Sequence, residues 1–141
     1  MLGVDELTAV TFSIPGKPFA KQRPRFSRRN GRAFTPKQTV SFEQTVGTIA
    51  AQHIKDPLQG PVEVTIHATF EMPKSWSAKK KDRMRGRPHI QRPDLDNVEK
   101  AILDGLNRIA FADDEQGWNV VKTKAWGDAG VTHVTLVGAD A

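Results

Sequence analysis

The chain has 141 residues, which is enough for one domain with an ordinary core. It contains no cysteine, so disulfides, thiolate zinc sites and cysteine nucleophiles are excluded. Lysine and arginine number 21 against 16 acidic residues, a formal net charge of +5, which favours a polyanionic partner.

The first ten residues carry two acids and no cationic region ahead of an apolar run. No stretch of the sequence approaches the length of a membrane span. We therefore expect a soluble protein of the cytoplasm that has no membrane partner.

A first strand is predicted where Val10, Phe12 and Ile14 alternate with polar residues before Pro15 and Gly16. The strand leads into a basic arm, residues 16–35, which contains no acid. Its cations are candidate DNA-binding residues: Lys17, Lys21, Arg23, Arg25, Arg28, Arg29 and Arg32.

Phe19 and Phe26 lie among the cations of the basic arm. Aromatic rings beside cations permit stacking on exposed bases as well as phosphate contacts. A solvated loop is the alternative interpretation of the same charge run.

A first helix is predicted from about residue 36 to 54. Thr35 and Pro36 have the form of an N-cap and first-turn pair, and apolar residues then recur at helical spacing. A second strand follows, because Val62, Val64, Ile66, Ala68 and Phe70 alternate with polar residues.

The basic loop, residues 72–92, contains two prolines and no sustained periodicity, which predicts a long and partly mobile connection. Its spacing matches no geometry for reading bases, so we expect its cations to neutralise the DNA backbone. The candidates are Lys79, Lys80, Lys81, Arg83, Arg85 and Arg87.

The acidic motif, residues 93–116, predicts a second helix from about 95 to 108, with one apolar stripe. Asp96, Lys100 and Asp104 follow one another at helical spacing on another face. Asp113 and Asp114 lie just beyond the helix. This cluster of hard oxygen ligands on a basic protein suggests metal-dependent phosphate chemistry.

Two further strands, roughly 118–126 and 131–137, are separated by Gly-Asp-Ala-Gly and predict a hairpin. Four strands and two main helices favour an α+β (mixed α/β) single domain spanning residues 1–141, with one mixed sheet covered by helices. The strand order does not follow from the sequence. The four histidines have no metal-ligand spacing, and only His89 is a weak functional candidate.

The chain resembles the RusA-type Holliday junction resolvases. The acidic motif fits the family pattern D-x-D-N, a lysine four residues after the second Asp, L-D-x-L and D-D-x-Q. The segment PGKPFAKQRPRFSRRNGRAFTPK resembles a second family pattern. The matching residues of the acidic motif are Asp94, Asp96, Asn97, Lys100, Leu103, Asp104, Leu106, Asp113, Asp114 and Gln116.

The resemblance implies a homodimeric endodeoxyribonuclease that resolves four-way DNA junctions by paired nicks, in DNA recombination and repair. It also implies a setting in a bacterial or phage-infected cell and a RusA-like fold. Mg²⁺ is the expected cofactor, with Mn²⁺ as a substitute, and no nucleotide cofactor is expected.

Asp94, Asp96 and Asp114 are the predicted metal ligands, because Mg²⁺ prefers carboxylate oxygens. Holding three carboxylates together raises the pKa of at least one of them. The alternative for the first pair is helix capping, with Asp96 and Glu99 as an approximate capping box. The alternative for Asp113 and Asp114 is a solvated loop.

Within one chain, Asp114 can barely reach back to the other two predicted ligands, Asp94 and Asp96. The helix from Asp96 to Ile109 spans ~20 Å, and the five residues to Asp114 return at most ~18 Å. Either the helix ends early, with Asn107 as a left-handed C-cap, or Asp114 completes a site in the other subunit of a dimer.

Lys100 is the catalytic candidate that would orient water or stabilise the phosphate, and a surface ion pair with Asp96 or Asp104 is its alternative. Asn97, Asp104 and Asp113 are expected to support the ligands. Gly105 inside the helix indicates either a close backbone approach or an unoptimised position, with a dimer contact as one hypothesis.

Two rival functions remain at this point. A noncatalytic DNA-binding protein would use its acids for capping or phosphate mimicry and would bind no metal. A less selective metal nuclease would cut flaps or other branched DNA, since a basic surface gives affinity without choosing a shape.

Overall fold

The computed structural model describes residues 7–139. The elements follow in the order β1 (Leu7–Pro15), β2 (Arg25–Phe26), β3 (Ala33–Phe34), α1 (Lys37–His53), β4 (Val62–Glu71), α2 (Ala78–Met84), α3 (Leu95–Leu106), β5 (Gly117–Gly127) and β6 (Val131–Ala139). A 3₁₀ turn at Asp114–Gln116 precedes β5. Residues 1–6 and residues 140 and 141 of the predicted domain lie outside this range.

One mixed sheet of four strands has the order β1-β6-β4-β5. β6 runs antiparallel to both β1 and β4, whereas β5 runs parallel to β4. This confirms the α+β class and the single four-stranded sheet. The alternation in β4 decides which of its side chains enter the core, because Val62, Val64 and Ile66 are at most 1% exposed.

The predicted hairpin of the last two strands is wrong. β5 and β6 are separated by β4, which pairs with both of them. The connection from Gly127 to Gly130 passes beyond the end of β4, where Gly127 O accepts a hydrogen bond from Met72 N. Four residues are long enough to cross two strand spacings of ~4.8 Å, so a short connection did not require a tight turn.

The core lies between the sheet and the helices α1 and α3. Val98, Ile102 and Leu106 form the buried stripe of α3 and are at most 1% exposed. Burial of each such side chain contributes roughly 1.5–3 kcal/mol, so this stripe holds α3 in place by several kcal/mol. The polar face of the helix is thereby turned away from the core.

Helices α1 and α3 cross at two glycines. A Cβ atom on Gly105 would lie 2.7 Å from Val46 Cβ and 3.1 Å from Glu43 O, both on α1. A Cβ atom on Gly47 would meet Ile109 Cδ1 at 2.6 Å. The backbone that approaches Gly105 therefore belongs to the same chain, and the hypothesis of a dimer contact at Gly105 is wrong.

Three details of the predicted helices need correction. Pro36, not Thr35, is the N-cap of α1, and it makes no side-chain capping bond. Seven residues of the basic loop form α2, whose N-cap Ser77 accepts a hydrogen bond from Lys80 N. Two main helices were expected, and α2 adds a third. Among the described helices, none has the length and apolarity needed to cross a membrane.

Candidate active site

The chain segment that leads into α3 is fixed along the end of β5. Backbone hydrogen bonds join residues 86–89 to β5 at distances from 2.8 to 3.1 Å. Lys124 Nζ then donates to Gln91 O at 2.6 Å and to Pro93 O at 2.7 Å. The start of the acidic motif at Asp94 is therefore positioned by the sheet rather than by a free loop.

Asp94 is the N-cap of α3. Its Oδ1 accepts a hydrogen bond from Asn97 N at 2.9 Å, which satisfies one backbone donor of the first turn. The predicted capping box of Asp96 and Glu99 is wrong, because the helix starts before Asp96. The backbone carbonyl of Asn97 accepts a hydrogen bond from Lys21 N at 2.9 Å.

Asp96 lies in the first turn of α3 with its side chain 88% exposed. Lys122 Nζ on β5 donates to Asp96 Oδ1 at 2.6 Å and lies 3.5 Å from Glu99 Oε2. The hydrogen bond from Lys122, followed by its charge, lowers the pKa of Asp96. Asp96 is therefore held as an anion, which is the form that a metal ion binds.

A second charged cluster lies on the side of α3 that faces α1. Lys100 Nζ donates to Asp104 Oδ1 at 3.1 Å, and Lys21 Nζ lies 2.9 Å from Asp104 Oδ2 and 2.6 Å from Glu43 Oε1. Burial opposes ionisation of Asp104, but hydrogen bonds from Lys21 and Lys100 outweigh it and lower the pKa of Asp104. Asp104 thus links the basic arm to Lys100.

Lys21 was predicted to bind DNA, and the structure places it in this network. Burial lowers the pKa of Lys21, but its hydrogen bonds to Glu43 and Asp104 more than compensate and raise it. Glu43 was not a candidate in the sequence, because its position on α1 gave no sign of a partner 22 residues earlier.

Asp113 and Asp114 form the turn before β5. Asp113 accepts from Glu115 N at 2.9 Å, and Gln116 Oε1 accepts from Asp113 N at 3.0 Å, which makes a capping box. Gln116 Nε2 also donates to the carbonyls of Leu58 and Gly60. Gln116 therefore anchors the turn to the loop before β4.

When Asp114 is protonated, the two aspartates of this turn share a hydrogen bond. That bond, together with burial and repulsion from Asp113, raises the pKa of Asp114. A backbone hydrogen bond from Glu115 and the bond to Asp114 lower the pKa of Asp113. The charges of Lys100 and Asp104 also act on Asp114, Lys100 lowering its pKa and Asp104 raising it.

The early end of α3 agrees with one of the two predicted geometries. The helix ends at Leu106, and its C-cap Asn107 has a φ of −58°, whereas Arg108 has the left-handed φ of 68°. The prediction of a left-handed Asn107 is therefore wrong by one residue. The 3₁₀ turn that begins at Asp114 lies against α3, the helix that carries Asp96 and Lys100.

Within the part of the chain that the structure describes, no group of three or more acidic, histidine or cysteine side chains is placed to hold a metal ion. The predicted triad is therefore not assembled in one chain. The donor chemistry nevertheless fits Mg²⁺, which keeps several waters and often uses one or two carboxylates. Asp94 and Asp96 each engage only Oδ1 in the described contacts.

The basic arm forms a small hairpin of β2 and β3. Phe26 is 72% exposed and Phe34 is 48% exposed, whereas Phe19 stacks on Phe42 with ring centroids 4.8 Å apart. Phe34 was not a candidate in the sequence, and Phe19, which packs one face on Phe42, is less exposed than Phe26. In the described range, the following arginines of the arm form no salt bridge: Arg23, Arg25, Arg28, Arg29 and Arg32.

The cations of the basic loop are less uniformly available. Arg85 pairs with Asp82 and Asp128, each at 2.9 Å, and these hydrogen bonds raise its pKa further. Lys80 Nζ lies 4.3 Å from the centre of the Trp76 ring. Arg87 donates to Arg83 O. The structure therefore gives Arg85 two carboxylate partners, whereas Lys79 and Lys81 form no salt bridge with the acids that the structure describes.

Two comparisons with known proteins concern the chain as a whole. The family model described as "Endodeoxyribonuclease RusA" matches residues 15–137, which is most of the chain. A protein described as "Uncharacterized protein YqaN", from Bacillus subtilis (strain 168), is 34% identical over 117 residues. That match covers 78% of this chain and 82% of the relative.

Proposed function

The chain belongs to the RusA endodeoxyribonuclease family, and on that basis we propose that it is a divalent-metal-dependent nuclease that resolves four-way DNA junctions. The observation that carries the proposal is the entrance of α3. There Asp94 and Asp96 each present an uncommitted carboxylate oxygen, and Lys100 follows Asp96 by about one helical turn.

Asp94 and Asp96 would hold the metal ion, which we take to be Mg²⁺ with Mn²⁺ as a substitute, and Asp114 would be the third ligand. The bound ion would supply an activated water and neutralise charge on the phosphate. Asp114 is supported by the charges of Lys100 and Asp104, which act on its carboxyl group, and by the turn that Asp113 caps.

Lys100 is the proposed catalytic cation. Its side chain is 57% exposed and its ammonium group is bound to Asp104, so it can reach a phosphate while one carboxylate fixes its direction. Asp104 is a positioning residue, because Lys21 and Lys100 share its two oxygens. Lys21 would thereby couple the placement of the basic arm to the catalytic lysine.

The basic arm and the basic loop are proposed to hold the DNA backbone. Phe26 and Phe34 add exposed rings that can stack on unpaired bases. Two copies of the chain would place two equivalent sites on a four-way junction and nick opposing strands, since the symmetry of a dimer matches that of the substrate. Recombination and repair in a bacterium or phage-infected cell form the proposed setting.

The test compares Asp96→Asn with the wild type and with Asp56→Asn, an exposed aspartate in the loop before β4. Each protein is incubated with a labelled four-way junction in Mg²⁺ or in EDTA, and junction binding is measured by gel shift. We expect paired nicks that require Mg²⁺, survive in Asp56→Asn and disappear in Asp96→Asn, while binding by Asp96→Asn persists.

Other results would replace the proposal with a rival. Binding without cleavage at any metal would favour a noncatalytic DNA-binding protein. Equal cleavage of flaps, three-way junctions and four-way junctions would favour a less selective branched-DNA nuclease.

A further inference from the structure

A pocket of 310 Å³ opens next to the entrance of α3. Its walls come from the end of β4, the segment before Asp94, the end of β5 and the start of the basic arm. The lining residues that matter here are Lys17, Phe70, His89, Gln91, Arg92 and Trp126. The acidic motif gave no reason to expect a cavity at this position.

The inner wall of the pocket is aromatic. His89 is 5% exposed and stacks on Phe70, with ring centroids 3.9 Å apart, and Trp126 lies 4.4 Å from the His89 ring at a tilted angle. Burial, together with the charges of Lys124 and Lys17, lowers the pKa of His89. The ring is therefore neutral at physiological pH. Its Nδ1 has no hydrogen-bond partner among the described residues.

The rim of the pocket is cationic. Lys17 and Arg92 line it from opposite segments of the chain, and neither forms a salt bridge with a described carboxylate. Gln91 and Glu71 also line the pocket and supply amide and carboxylate groups. Glu71 makes the pocket unsuitable for a bare anion, but it can accept a hydrogen bond from an exocyclic amine.

These features point to one kind of occupant. A cavity of 310 Å³ is at the lower end of the range for small-molecule sites, so it accommodates one nucleotide and not a base pair. Aromatic walls favour a base, and cations at the rim favour its phosphate. Arg92 is two residues before Asp94, so the nucleotide would lie beside the phosphodiester that is cut.

We propose that this pocket receives a single unstacked nucleotide of the branched DNA, with its base against the aromatic wall and its phosphate between Lys17 and Arg92. This proposal rests on the proposed function and deepens it. Extruding a base costs least where pairing is already broken or distorted. The pocket would therefore favour branch points over linear duplex.

The experiment uses Asp96→Asn in EDTA, so that the DNA stays intact. The fluorescent base 2-aminopurine is placed in turn at each position near the crossover of a four-way junction. We expect one position to change its fluorescence on binding. Gln91→Trp, which fills the mouth of the pocket, abolishes that change, while Gln59→Trp, an equally exposed glutamine outside the pocket, does not.

A second measurement separates base insertion from phosphate binding. Removing the base at the position whose fluorescence responds should weaken junction binding by the Asp96→Asn protein about tenfold. The same removal should leave junction binding by the Gln91→Trp protein unaltered. The opposite result is that Lys17→Ala and Arg92→Ala weaken DNA binding while no 2-aminopurine position changes its fluorescence. The pocket would then contact phosphates alone, and the proposal would be overturned.

The outcomes distinguish this proposal from the one it rests on. Mg²⁺-dependent junction cleavage by the wild type, with no fluorescence response at any position, removes the pocket proposal and leaves the nuclease proposal. Absence of both junction binding and cleavage removes both.

Discussion

Asp94 and Asp96 each perform a structural task with one oxygen. Asp94 caps α3, and Asp96 pairs with Lys122. An exposed ion pair such as Asp96–Lys122 is weak in water, so it does not block ligation of a metal. The capping interpretation and the metal-ligand interpretation of Asp94 are therefore compatible, because a carboxylate has two oxygens.

Asp114 allows a prediction about pH. Its raised pKa means that, between its unfolded and folded pKa values, the folded protein binds more protons than the unfolded chain. Stability therefore falls as pH rises through that window, and ionised Asp114 is a cost at neutral pH. We expect Asp114→Asn to raise Tm at neutral pH and to lose this gain on acidification, while Mg²⁺-dependent cleavage falls.

The measurement is thermal unfolding of both proteins across a pH series, with Glu115→Gln as the control in the same turn. A lower Tm of Asp114→Asn at neutral pH would contradict the assignment, since it would mean that the ionised carboxylate stabilises the turn. Unaltered cleavage would remove Asp114 from the proposed ligand set.

Elements with a strong local period were predictable. β1, β4, α1 and α3 follow from the spacing of their apolar residues, because each buries one face. α2 has no buried residue, so it left no apolar period, and its only local signal was the cap Ser77. The pairing of β5 with β4 joins Val64 to Val120 across the whole acidic motif, and no local pattern specifies such a partner.

The same contrast between local signals and long-range contacts holds for the candidate site. The sequence indicated the acids of α3 and of the following turn, because they are close along the chain. It did not indicate Lys122 as the partner of Asp96, or Glu43 as the partner of Lys21. Those contacts depend on how β5 and α1 pack around α3, which becomes known only with the fold.

The crossing of α1 and α3 gives a prediction at Gly105. Alanine would improve helix propensity by up to ~1 kcal/mol, but its Cβ would approach Val46 Cβ and Glu43 O, which cannot move without α1. Overpacking of this kind costs ~1–3 kcal/mol, so we expect Gly105→Ala to lower Tm. Gly47→Ala should cost less, because its main clash is with the flexible end of Ile109.

Thermal and denaturant unfolding of the two glycine variants and the wild type would measure this difference. An unaltered or raised Tm for Gly105→Ala would show that the helices can separate at little cost. The crossing would then not be the constraint that fixes α3 and its acids against α1.

At the scale of the whole molecule, the cations form two populations. Lys21, Lys100 and Lys122 are paired with carboxylates around α3, and Arg85 is paired at the end of the sheet. The arginines of the basic arm have no salt bridge in the described range. The net charge of +5 therefore understates the positive potential of the arm, where neighbouring acids do not cancel it.

This division predicts different salt dependences of DNA binding. Each phosphate contact contributes about −0.9 to the slope of log K against log salt concentration. Arg28 and Arg29 lie at the turn between β2 and β3 and have no described salt bridge, so we expect the double change to alanine to make the slope shallower by about 2. Arg85→Ala is the matched control, because its guanidinium is already engaged by Asp82 and Asp128.

The slope is obtained from Kd values for a four-way junction across a NaCl series, with Asp96→Asn in EDTA as the parent. If Arg85→Ala and the double change of Arg28 and Arg29 alter the slope equally, internal ion pairs do not decide which cations bind DNA. If the double change leaves the slope unaltered, Arg28 and Arg29 lie outside the DNA interface.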